Sequence, residues 1–284
     1  MSDTDTPRRP GPWDPRPEDL KAAAAPAPEP ARAAEPPLDK GQNPVWAVAS
    51  TLLLGGLIWY VSGSWVIAGA LIWGLFVHEY GHVLAMNRLG MGPARIYIIP
   101  FLGGVAKSQR LPQSEWHGVL VSLAGPAFGL LAAIPFFAGF VATNHPAWLV
   151  GAAVIAAVNL INLAPAPPLD GSKALGPVLA RIHPMLEMLA LLVLGGLVVW
   201  WAFMTGRLIL VVFLAIALVG HLKQGVRRPD GRPLTVREAG FSLGLFLITA
   251  AACAGVGIAA LMPLGGGSLP VALGIAAQEL GVTR

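Results

Sequence analysis

Charge is what this chain has least of. Asp, Glu, Lys and Arg together make up 12% of its 284 residues, about half of what soluble domains carry. With 55% of the residues hydrophobic, an ordinary cytosolic enzyme with one core is a poor fit, and disorder throughout is excluded. The 34 glycines follow no Gly-X-Y period, which excludes collagen. Cys253 is the single cysteine, so no intramolecular disulfide exists and cysteine usage says nothing about redox compartment. Also lacking are a phosphate loop, a dinucleotide fingerprint and a serine-nucleophile elbow. No signal peptide is evident, because the first apolar run begins at Val45 behind a polar leader.

What is present is hydrocarbon, concentrated after residue 44. Eleven of the 26 prolines fall in residues 1–44, where Trp13 is the sole aromatic. That composition reads as a disordered Pro/Ala-rich tail. Seven apolar runs follow, at about 45–62, 65–86, 117–142, 147–165, 185–204, 207–221 and 240–262. Each approaches the roughly 20 residues a helix needs to cross a bilayer. The fold class expected is an all-α polytopic membrane protein with about seven transmembrane helices. Its membrane domain spans 45–262, and a short tail covers 263–284. Gly125-x-x-x-Gly129 and Gly240-x-x-x-Gly244 would let helices approach closely.

Seventeen of the nineteen Lys and Arg lie in the N-terminal tail and in the loops 87–116, 166–184 and 222–239. With seven spans, all of these fall on one side. The positive-inside rule makes that side cytoplasmic, in what reads as a bacterial inner membrane. The net charge of +4 is thus a topology signal and implies no nucleic acid; the expected surroundings are the lipid bilayer. One apolar stretch, Ile96–Ala106, is too short to span and has Pro100 inside it. Its β-branched and aromatic residues, with a turn at Gly103-Gly104, predict a re-entrant or interfacial β-hairpin over 96–106.

The chemistry sits where charge is most costly. His78 and His82 stand four apart at the end of the second run, so a helix stacks them on one face, where they can share one Zn²⁺. Glu79, beside the first ligand, can reach a metal-associated water as general base. Ionisable groups inside a span are costly and mark function by default. Counting 1.5 Å per residue back from Arg88 puts His82 about 9 Å and His78 about 15 Å below the cytoplasmic edge. Zinc needs a third protein ligand. Between Asp39 and Asp230 the chain holds one aspartate, Asp170, which emerges after the fourth run on the same side as the His pair. Pro165, Pro167 and Pro168 should stop the helix and hold the approach extended, with Gly171 permitting a tight turn beyond the carboxylate.

With His78-Glu79-x-x-His82 and the later Asn162-x-x-Pro165-x-Pro167-x-Leu169-Asp170-Gly171 both in place, the chain resembles the site-2 protease family of intramembrane zinc metalloproteases. Gly103-Gly104 and Gly125-Pro126 between the two motifs are also similar to that family, and the likeness covers about residues 65–180. It implies one Zn²⁺ per chain on His78, His82 and Asp170, with Glu79 as the catalytic carboxylate. It further implies substrate contacts from Asn162, Gly103 and Gly104, and membrane proteins with a transmembrane segment as substrates. The chain departs from the family in two places. Phe128 and Gly129 stand where many members carry an Asn after the Gly-Pro, which leaves Asn159 as a substitute. The longest loop, 87–116, and the tail after Met262 are too short for a PDZ or CBS domain, so a compact member is expected. The alternative from another class is a membrane zinc-binding or ion-handling protein without proteolysis; few ionisable residues line the spans to carry an ion across.

Overall fold

The computed structural model describes residues 41–99, 103–204 and 231–280, with residues 206, 212, 215, 216, 218–220 and 222 between them. Most of the span expected at 207–221 and of the tail expected at 1–44 lies outside the described residues.

The chain opens on helix α1 (Pro44–Ser62), started by the Asn43 side chain accepting from the Val45 N–H and stopped by left-handed Gly63. Ser64 caps the next helix, α2 (Trp65–Arg88), through the Ile67 N–H, so the connection is as tight as expected. Strands β1 (Arg95–Ile99) and β2 (Gly103–Lys107) form an antiparallel pair in register from Arg95↔Lys107 to Ile99↔Gly103. A hairpin was expected over 96–106, and the pairing agrees. Gly103 and Gly104, however, lie inside β2 opposite Ile99 and Ile98 rather than at the turn.

Helix α3 (Glu115–Gly129) carries Pro126, whose missing N–H removes one rung. A 3₁₀ turn over Leu130–Ala133 follows and leads into α4 (Ile134–Thr143). Helix α5 (Pro146–Asn162) ends before the prolines. Residues 163–169 then fold back through short turns, including Ala166 N–H to Ala164 O and Leu169 N–H to Ala166 O. The approach to Asp170 is therefore turned, and the extended path expected from the prolines is not adopted.

Asp170 itself opens a helix, α6 (Asp170–Ile182), in a stretch expected to be loop. Two contacts from the chain's distal part steady it: Ser242 Oγ donates to the Ala174 carbonyl at 2.6 Å, and Arg181 Nη1 donates to the Leu234 carbonyl at 2.6 Å. Helices α7 (Pro184–Met204), α8 (Val236–Leu264) and α9 (Leu269–Glu279) follow. Thr235 and Glu238 form a reciprocal capping box at the start of α8.

Among the described residues, four stretches are long and apolar enough to cross a membrane: α1, α2, Glu115–Thr143 and α8. Helix α5 and the Met185–Trp200 part of α7 are apolar but shorter. Seven spans were expected; these four are what length and composition support. The packing is inside-out relative to a water-soluble core. Small residues are buried between helices (Ala70, Ala132, Ala147, Ala152, Ala260), while Leu52, Trp59, Leu192, Leu197 and Ile248 face outward. Lipid gives helices no hydrophobic reason to associate, so small residues that let backbones approach carry the packing. Gly125 and Gly129 serve that purpose, as described below, whereas Gly240 and Gly244 face open space.

Candidate metal centre

Helix α2 delivers His78, Glu79 and His82, all buried at 4%, 6% and 7% exposure. The i, i+4 spacing stacks the two imidazoles on one face, with their Nε2 atoms 3.1 Å apart. Asp170, half-buried at the first turn of α6, brings Oδ2 to 3.0 Å from His78 Nε2 and 3.3 Å from His82 Nε2. The N-terminal end of α6 favours a negative charge at that position.

The outer nitrogens show which way the imidazoles present themselves. Asn159 Nδ2 donates to the Ile155 carbonyl at 2.8 Å, which leaves its Oδ1 to accept from His78 Nδ1 at 2.8 Å. His82 Nδ1 donates to the Val121 carbonyl, also at 2.8 Å. Both Nδ1 atoms are thus committed as donors, and both Nε2 atoms turn lone pairs toward the Asp170 carboxylate. Three acceptors converging in a buried space repel one another unless a cation lies between them. Tetrahedral zinc ligands, at about 2.0–2.1 Å from the metal, stand about 3.3 Å from each other, close to the 3.0–3.3 Å separations observed. The donor set therefore fits zinc: two imidazoles with their second nitrogens bonded outward, and one carboxylate. Among the described residues this is the cluster of three His, Cys, Asp or Glu with ligand atoms all within 4.8 Å.

Glycines make the approach possible. A Cβ on Gly125 would overlap the His82 ring and fall 2.9 Å from His78 Nε2. A Cβ on Gly81 would lie 2.8 Å from Phe128 Cβ and strike the Ala124 carbonyl, so α2 and α3 meet backbone to backbone at the centre. One at Gly171 would run into the Leu163 carbonyl, which explains the Asp-Gly pair differently from the turn expected for it. Gly129 leaves the room that the Asn159 side chain fills. The polar contact expected from Asn159 in place of an Asn on the third span is made in this way, from α5.

Glu79 does not join the three ligands. A Cβ on Gly104 would stand 2.6 Å from Glu79 Cγ and 3.4 Å from Oε1, so the missing side chain lets the strand lie directly on the carboxylate. Gly103 faces Leu75 instead. Asn162 bonds back to the Val158 carbonyl of its own helix at 3.1 Å. The Val121 carbonyl was not identifiable beforehand, since any residue supplies one.

Residues 66–147 match the model of peptidase family M50. A protein of Synechocystis sp. described as a putative zinc metalloprotease is 31% identical over 139 residues, which is 46% of this chain and 35% of that protein. The matched segment is thus about a third of the relative's length. No solved structure matches the chain.

Proposed function

We propose that this chain, which matches peptidase family M50 over residues 66–147 and resembles the site-2 proteases in its two motifs, is an intramembrane zinc metalloprotease hydrolysing peptide bonds in or near transmembrane segments of membrane proteins. The observation that carries this reading is the convergence of His78 Nε2, His82 Nε2 and Asp170 Oδ2, with the Glu79 carboxylate next in sequence to the first of them. One zinc per chain, when bound there, supplies Lewis-acid polarisation of the scissile carbonyl and a water whose pKa falls toward about 7.

The protein's own groups do the rest. Asn159 and the Val121 carbonyl hold the imidazoles so that Nε2 faces the centre. Glu79 takes the proton of the attacking water and passes it to the departing amine nitrogen. Burial of these groups keeps bulk water out, which strengthens each electrostatic contact. Asn162 is assigned to substrate binding or oxyanion stabilisation, with Gly103 and Gly104 as the surface against which the unwound substrate lies. A helical segment hides its peptide bonds, so unwinding precedes attack.

The proposed setting is a seven-span domain over 45–262 in a bacterial inner membrane, with the N-terminus and the opening to the centre on the cytoplasmic side. The bias of Lys and Arg supports that orientation. Incubation of purified protein in detergent with single-span substrates tests the reading. Wild type should yield a chelator-sensitive product, and Glu79→Gln should retain zinc while losing cleavage. Zinc binding with no chelator-sensitive product from any substrate would shift the reading to a non-proteolytic zinc protein.

A further inference from the structure

Helical hydroxyls in this protein are commonly satisfied by their own backbone. Ser50, Thr51, Ser62, Thr143 and Thr249 each donate to the carbonyl four residues earlier, at 2.7 or 2.8 Å, which is the local option open to any Ser or Thr inside a helix. Ser122 of α3 departs from that pattern. It is 1% exposed, yet its Oγ has no hydrogen-bond partner among the described residues, the Gly118 carbonyl included. A buried hydroxyl without a partner is costly, so one that passes over the carbonyl of its own helix needs an explanation.

The helix fixes what Ser122 faces. Val121 belongs to the buried cluster around Met86 of α2, and Val119 and Leu123 belong to the one that includes Ala174 of α6. At 3.6 residues per turn, position 122 falls between those two faces, on the same flank as Gly125 one turn further on. Gly125 is where α3 meets the His82 ring and His78 Nε2. Ser122 therefore looks into the angle between α2 and α6, which His82 and Asp170 close from either side. Positions three apart on a helix hold their Cβ atoms about 5–6 Å from each other, a gap of the size that one water bridges.

The ligands themselves are not equally supported. His78 Nδ1 is held by Asn159 and His82 Nδ1 by the Val121 carbonyl. Asp170 meets both imidazoles through Oδ2, and its Oδ1 has no hydrogen-bond partner among the described residues. The last torsion of an aspartate is broad, and a carboxylate that ligates a metal is ordinarily oriented by a hydrogen bond of its own. A buried donor without an acceptor thus faces the region of a ligand oxygen without a donor.

We propose that Ser122 is a positioning residue for the third ligand: its hydroxyl donates, through one buried water, toward Asp170 Oδ1 and fixes the plane of the carboxylate so that Oδ2 stays turned to the imidazoles. The inference rests on the zinc centre read above. One turn of α3 then attends to all three ligands. The Val121 carbonyl aims His82, Ser122 steadies Asp170, and Gly125 leaves room for the two rings.

Ser122→Ala in the full-length protein separates this role from packing. Metal-free Ser122→Ala should unfold at the same temperature as wild type or above it, because an unpaired buried hydroxyl has been replaced by an apolar group of similar shape. Its zinc affinity, measured by competition with a chelator, should nevertheless fall by about 10–100-fold. Affinity within about twofold of wild type would overturn the proposal. So would a fall accompanied by a lower unfolding temperature of the metal-free protein, since Ser122 would then only support the packing of α3.

A second measurement reads the carboxylate directly. In protein labelled with ¹³C-aspartate, the infrared difference between zinc-loaded and metal-free samples isolates the aspartate that responds to the metal. Its carboxylate bands should shift on Ser122→Ala, and coincident bands would refute a link between Ser122 and Asp170. Failure of the wild type to bind zinc would instead defeat the reading of the centre, so the two failures are told apart.

Discussion

Asn159 Oδ1 accepts a hydrogen bond from His78 Nδ1 at 2.8 Å, through the space that Gly129 leaves empty. One helix supplies the ligand, a second supplies the gap and a third supplies the partner that aims the imidazole. Removing such a partner leaves the ligand in place but free to turn. Asn159→Ala should therefore keep the fold and lower zinc affinity by about 10–100-fold. Zinc retention during titration with a competing chelator measures this, and affinity equal to wild type would separate Asn159 from the centre.

Gly125→Ala is the sharper lesion. The added methyl falls on the His82 ring and near His78 Nε2, so α3 must withdraw or the imidazole must leave. Zinc should be absent from the purified variant while helical content by circular dichroism stays near that of wild type. Stoichiometric zinc in Gly125→Ala would contradict the close approach of α3.

Gly104→Ala attacks the base rather than the metal. Its methyl would press on Glu79 Cγ, and a displacement of about 1 Å near the reacting atoms can cost about 10²-fold in rate. Zinc content should be normal and turnover lower by roughly that factor. Loss of zinc would show that the strand steadies the ligands as well.

Asp170→Ala removes the one carboxylate among the three converging atoms. Two neutral imidazoles are a weak site for a dication, so both zinc and activity should be lost. Full zinc occupancy measured by elemental analysis would refute the ligand assignment.

The sequence made the centre more legible than its surroundings, and for a physical reason. His78 and His82 are neighbours on any helix, so their meeting needs no knowledge of the fold. Asp170 was readable because few carboxylates exist to compete with it. Its helix was not: α6 carries Gly171, Gly176 and Pro177, and residues of that kind read as loop until Ser242 and Arg181 are known to hold them. The hairpin was visible from its β-branched residues, but Gly104 looked like a turn because the Glu79 carboxylate that requires a bare backbone lies on another element. The Val121 carbonyl acts through a pairing that exists only after folding. Counting apolar runs gives seven spans, of which four among the described residues are long and apolar enough to cross a membrane; helix ends depend on caps and on prolines such as Pro165, which a count of runs does not include.

The Leu163 carbonyl against Gly171 has a wider consequence. Asp170 is located by main chain resting on main chain, a contact with no side chain that could adjust, while the histidines ride on a helix from a distant part of the chain. A metal held by both is a tether between early and late segments, and its binding free energy adds to the cohesion of the bundle. Retained zinc is then a readout of assembly as much as of chemistry: a chain that keeps its metal has its early and late helices docked.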